Sequence, residues 1–208
     1  MASQSLTLPV PRSVAPPADG PEGLFGPPQA WPVLGDPRFT CLLRHWAEGR
    51  SRVNGRPGLM MPRAAIDPVA IRGCLANVWL YQYLPDEDDF LCTLAGEAVN
   101  QAWGRNLKGQ RISNFMSPAM LARVPALYRR MMDIPAIQVS LRQISPADGV
   151  EQSAERLVVP LSDATGRPWG VFGLTLYYLG PQARMTDQAG MPGHVVLYPC
   201  ADLPDSAP

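Results

Sequence analysis

The chain has 208 residues, with 18 Lys+Arg against 18 Asp+Glu and a formal net charge of zero. That length suits one domain of about 100 to 150 residues with extensions, and the balanced charge offers no single-sign field to steer nucleic acid or an anionic membrane. The 24 prolines point to turns and tails, while two histidines and four cysteines without a CxxC pair leave little material for structural zinc or attached haem.

Residues 1–35 read as a flexible proline-rich arm, because they lack apolar periodicity. Residues 36–58 supply an N-terminal helix and connector. Asp36 can cap, Pro37 suits the first helical position, and Phe39, Leu42, Leu43 and Trp46 share one face before Gly49. That face can cover the sheet of its own domain or meet the same helix of a second subunit. A main domain is expected over residues 59–180, followed by a C-terminal extension over 181–208.

Within the main domain, Asp67 followed by Pro68 predicts a second capped helix that packs Val69, Ile71 and Leu75. Residues 78–84 alternate, with Trp79, Tyr81 and Tyr83 on one side and Val78, Leu80, Gln82 and Leu84 on the other. Two apolar faces require cover on both sides. The acidic turn 85–89 returns the chain as a strand over 90–94, where Cys92 reads as a buried thiol. A short helix over 97–103 lies between breaks at Gly96 and Gly104, and Gly109 bounds the following loop.

Ser117-Pro118 opens a helical segment to about residue 132, and Pro125 predicts a kink or two joined helices. Strands follow over 135–144, 151–161 and 169–179, with a turn at 163–168. The VVLYP segment at 195–199 fits either a short docked strand or a local anchor. Turns this short favour antiparallel pairing, so the order is two strands, a helical middle and three strands.

The candidate functional residues fall into three groups. Arg63 and Asp67 suit a hinge clamp or an effector contact. Arg105, Lys108 and Arg111 form a compact basic run that suits an anionic ligand, an acidic partner or plain solvent, and Trp103 before them can close a pocket or fill the core. Trp79, Tyr81, Tyr83, Trp169, Phe172, Tyr177 and Tyr178 would line a sheet, where aromatic packing explains them with or without a ligand. There is no GxxxxGK[ST] or GxGxxG loop for phosphate. Ser140 or Ser153 with a histidine and Asp148 would be needed for a hydrolase, yet no GxSxG phrase is present. Asp86, Glu87, Asp88 and Asp89 lack calcium-loop spacing.

The phrases MPRAAIDP at 61–68, LANVWLYQY at 75–83 and FLCTLAGEAVNQAWGRNLKG at 90–109 together resemble a PAS-like family of small alphaproteobacterial proteins that carry a single PAS domain. The pattern rests on Arg63, Ile66-Asp67-Pro68, Leu94-Ala95-Gly96 and the run from Gly104 to Gly109. The resemblance covers approximately residues 60–180. It implies an α+β fold, a five-stranded antiparallel sheet with short helices on one face, here with an extra N-terminal helix. It also implies a non-catalytic sensory or regulatory module that works by dimerisation or protein contact, with small-ligand sensing as the second reading. Flavin-binding relatives carry an Asn-Cys-Arg-Phe-Leu-Gln phrase that is absent here. Haem-binding relatives need a histidine in the helical middle, where neither His45 nor His194 lies, so neither flavin nor haem is expected. The pocket or docking candidates are therefore Arg63, Asp67, Trp79, Tyr81, Tyr83, Cys92, Trp103, Arg105, Lys108, Arg111, Trp169 and Tyr177. The expected setting is cytoplasmic, with a homodimer, a signalling partner or a small-molecule ligand, and without nucleic acid or membrane insertion.

Overall fold

Asp36 and Pro37 start the first helix as their chemistry requires. In a computed structural model describing residues 29–50, 52–53, 56–144, 152–179, 194–206 and 208, α1 spans Pro37–Gly49 and the Asp36 side chain accepts from the Arg38 backbone N–H at 2.9 Å. Residues 1–28 of the expected 1–35 arm and the 145–150 connection lie outside the described residues, while in the rest of the arm Gln29 N–H donates to the Asp202 carbonyl and Trp31 Nε1–H to the Ser206 carbonyl, each at 2.8 Å.

After α1 come a two-residue ladder, β1 (Arg52–Val53) with β2 (Arg56–Pro57), and then β3 (Met61–Pro62), β4 (Val78–Leu84) and β5 (Asp89–Ala95). The helical middle is α2 (Glu97–Trp103), α3 (Pro118–Leu121) and α4 (Val124–Asp133). The second half is β6 (Ala136–Ile144), β7 (Gln152–Ser162), β8 (Pro168–Leu179) and β9 (His194–Pro199). The main sheet runs β5-β4-β8-β7-β6-β9, and all neighbours on this path pair antiparallel.

Two strands extend the five expected. β9 pairs with β6 from Ala136↔Pro199 to Leu141↔His194, giving the backbone groups along that edge their partners. VVLYP is therefore a docked strand. β3 pairs parallel with the end of β7, at Met61↔Leu161 and Pro62↔Ser162, where β6 no longer runs alongside. A second difference is at Asp67-Pro68. No helix forms there; Asp67 Oδ1 accepts from the Val69 N–H at 2.9 Å, and the chain continues in i→i+3 turns through Val69, Ile71 and Cys74. Of the three residues expected to pack, Ile71 is buried, while Val69 and Leu75 are exposed. The β-branched Val69 and Ile71 and the nearby Gly73 favour this tight path over a regular helix.

Pro125 does separate two helices, since it occupies the first turn of α4, where its missing N–H costs nothing. Strand alternation then divides the core in two. Val78, Leu80, Leu157, Val159, Phe172 and Leu174 face α1, whose Phe39, Leu42, Leu43 and Trp46 are at most 1% exposed. Trp79, Tyr81, Val158 and Val171 face the opposite way, under α2 to α4. The apolar side of α1 is thus used within its own chain, so a dimer built on that stripe is not the arrangement adopted. Each large side chain so buried contributes about 1.5–3 kcal/mol. Among the described residues no helix is long and apolar enough to cross a membrane.

Candidate functional site

The face under α2 to α4 is aromatic because every second residue of β4 is aromatic. Trp79 and Tyr81 have ring centroids 4.7 Å apart, and Tyr128 of α4 stands 5.8 Å from Trp79 and 6.2 Å from Tyr81. Trp79 lies over Gly173 of β8; a Cβ at that glycine would fall 2.1 Å from the indole ring, so the missing side chain makes the seat for the tryptophan. Its Nε1–H donates to Thr175 Oγ1 at 2.9 Å, which also accepts from Arg156 Nε at 3.1 Å.

Large rings beside flexible methionines leave a gap. A cavity of about 20 Å³ is lined by Trp79, Tyr81, Val99, Trp103, Met116, Met120, Val124, Tyr128, Arg156 and Tyr177. That volume holds about one or two waters. Trp103, Arg156 and Tyr177 are half-buried, and Trp103 Nε1–H donates to Tyr177 Oη at 3.3 Å. Tyr81 and Tyr128 are each 4% exposed, and their hydroxyls have no hydrogen-bond partner among the described residues. Buried tyrosine hydroxyls ordinarily find one. Burial pushes the Tyr128 phenol up to about 12 and Tyr81 well above its ordinary range, with the nearby Arg156 charge pulling each back down. Both are neutral donors at pH 7. On the same sheet face, Gln138 Oε1 is buried and unpartnered.

Four of the expected site residues, Trp79, Tyr81, Trp103 and Tyr177, meet in this wall. Others lie elsewhere. Arg63 and Asp67 are exposed on the α1 side, where the Arg63 guanidinium stands 5.1 Å from the Trp169 ring centroid and the Asp67 N–H donates to His45 Nε2 at 3.1 Å. Tyr83 sits at the far end of β4, donating to Asp88 Oδ1 at 2.9 Å and packing on Phe90. Cys92 is fully buried, its thiol donating to the Leu94 carbonyl and pushed up to about 12 by burial.

The basic run turns outward and lines no part of the cavity. Arg105 and Lys108 are exposed, and Arg111 donates to Glu87 Oε1 at 2.7 Å. The acidic turn is likewise occupied. Asp88 pairs with Arg129, and Asp89 accepts from the Phe90 N–H and the Ser113 hydroxyl. Among the described residues no group of three or more His, Cys, Asp or Glu could hold a metal ion.

Arg156, Tyr128, Val99, Met116, Met120 and Val124 complete the wall, and none of them stands among the site candidates read from the sequence. A signal for Arg156 existed: it interrupts the apolar alternation Ala154, Val158 on the strand face that points inward. For Tyr128 it was the helical spacing of Val124, Tyr128 and Met131.

An antiparallel sheet with short helices over one face is an α+β arrangement. Residues 39–176 match the family model described as the PAS domain, and the chain belongs to the PAS domain family. No curated protein matches. Among solved structures, VqmA bound to DPO is similar at 17% identity, covering 58% of this chain and 57% of that one with a TM-score of 0.40. A Vibrio cholerae VqmA dimer in the absence of target DNA shows 17% identity, 58% and 52% coverage and a TM-score of 0.40. A PAS domain from Colwellia psychrerythraea is 11% identical, covering 54% of this chain and 98% of that one with a TM-score of 0.39. The match spans little more than half of the VqmA chains.

Proposed function

We propose that this PAS domain is a small-ligand sensor whose site is the cavity between β4, β7 and β8 and the helices α2 to α4. One observation supports the reading: Tyr81 and Tyr128 are buried residues in the cavity wall whose hydroxyls have no protein partner among the described residues. Hydroxyls that face a cavity without a protein partner are met by water or by a ligand's polar atom. The present volume requires that binding move Met116 and Met120, whose unbranched side chains repack readily.

Output follows from the same movement. Shifting α3 and α4 changes the surface they present, biasing contact with a second copy or a signalling partner without chemistry at the site. Native mass spectrometry of freshly purified protein tests the ligand reading. A small-molecule adduct that disappears on denaturation is expected; the bare chain alone, with unchanged melting across a small-molecule library, would overturn it. Light scattering with and without the recovered molecule tests the output.

A further inference from the structure

The cavity wall contains one cation and no anion. Arg156 lies mid-strand in β7, opposite Thr175 on β8 and Ser140 on β6. Its Nε–H is taken by Thr175 Oγ1, and its other four N–H donors have no partner among the described residues. Elsewhere in the chain Arg38, Arg111 and Arg129 pair with Asp36, Glu87 and Asp88. Glu155, next in sequence, lies on the opposite face of the strand by alternation. A charge withdrawn from water ordinarily takes a carboxylate, and this half-buried guanidinium has none in the cavity wall. Here what stands around it is a pair of unpartnered phenols, Tyr81 and Tyr128, which are donors too.

The one charge in the wall is positive and both phenols can donate, so the site suits an acceptor that is negative. We propose that the ligand is a small monocarboxylic acid, bound as its anion, with the carboxylate on Arg156 and its apolar body against Trp79, Tyr128 and Met120; this rests on the cavity being the ligand site. The planar guanidinium matches a carboxylate through two parallel N–H···O bonds, and the remaining lone pairs can accept from the phenols. Charge selects a monoanion. One arginine neutralises one negative charge, whereas phosphate or a dicarboxylate would leave a second charge uncompensated in an apolar interior. Size selects a short body, because the space must be made by displacing two methionine side chains from a cavity of about 20 Å³.

The test is calorimetric titration of the full chain with acetate, butyrate and benzoate, with their primary amides, and with inorganic phosphate, in the wild type, Arg156→Gln, Arg156→Lys and Tyr128→Phe. At least one acid should bind, its amide at least about tenfold weaker, with Arg156→Gln losing about ten- to a hundredfold and Arg156→Lys less. Should Arg156→Gln not fold, Arg156→Lys and Tyr128→Phe carry the comparison, each expected to weaken the acid more than the amide. Equal binding of acid and amide, an unchanged affinity in the arginine variants, or tighter binding of phosphate would each overturn the monocarboxylate assignment while leaving the cavity as a ligand site. No acid binding at all overturns the proposal; an adduct of another chemistry in native mass spectra would then leave the sensing reading standing, and its absence would remove both.

Discussion

The two faces of the central sheet are packed to different ends. Under α1 the contacts are apolar and closed: Trp46 Nε1–H donates to the Pro160 carbonyl at 2.9 Å, and the Arg50 guanidinium lies 5.0 Å from the Trp46 ring centroid and 5.5 Å from that of Trp31. Under α2 to α4 the contacts are aromatic and sulfur-rich, a cavity remains, and two hydroxyls and a guanidinium are left with unused donors. On the proposed reading one side holds and the other receives. Incomplete satisfaction lowers stability locally, which is the usual condition of a site that must take a ligand.

The largest effect should come from the holding face. Trp46→Ala removes a fully buried indole and orphans a carbonyl, and should cost about 3–5 kcal/mol in denaturant unfolding; a cost equal to that of truncating Met120 would erase the distinction between the faces. Next is Gly173→Ala, which drives a methyl group into the Trp79 ring and should cost about 1–3 kcal/mol. That loss should come with altered tryptophan fluorescence, because the ring at the cavity must move.

A smaller effect attaches to the start of α1. Asp36→Ala should cost about 1 kcal/mol through the lost cap. The hydrogen bond from Arg38 holds the Asp36 carboxyl below its usual range. Its contribution is therefore present above the unfolded carboxylate value of 3.8 and lost as pH falls through the lower folded value, so wild type and Asp36→Ala should converge in stability only in strong acid. Convergence at neutral pH would show that the cap carries nothing. The smallest effect sharpens the contrast most. Tyr128→Phe removes a hydroxyl without a protein partner and should change stability by less than about 1 kcal/mol, in either direction, while weakening ligand binding.

How the sequence related to this division differs between fold and site. The double face of β4 was legible because Val78, Trp79, Leu80 and Tyr81 alternate within one strand, and α1 was legible because its cap, proline and apolar spacing agree. The helix expected after Asp67 failed because the same Asp-Pro signal serves a turn as well as a cap, and local pattern does not separate them. At the site, Trp79 and Tyr81 are legible from their type, whereas the basic run at 105–111 is the stronger local charge signal and Arg156 the weaker. Clustered charges on a loop face water, whereas a single arginine set into an inward strand face has no local neighbour to mark it; only the pairing Arg156↔Thr175 brings it beside Trp79.

Native-state hydrogen exchange tests the division between the faces most directly. In the ligand-free protein the amides of Met116, Met120, Leu121 and Ala122, bonded within α3 and the turns beside it, should exchange through local opening, with protection at least about a hundredfold below that of α1 and the paired centre of β7 and β8. Equal protection on the two sides would contradict a receiving face that opens while the other stays closed.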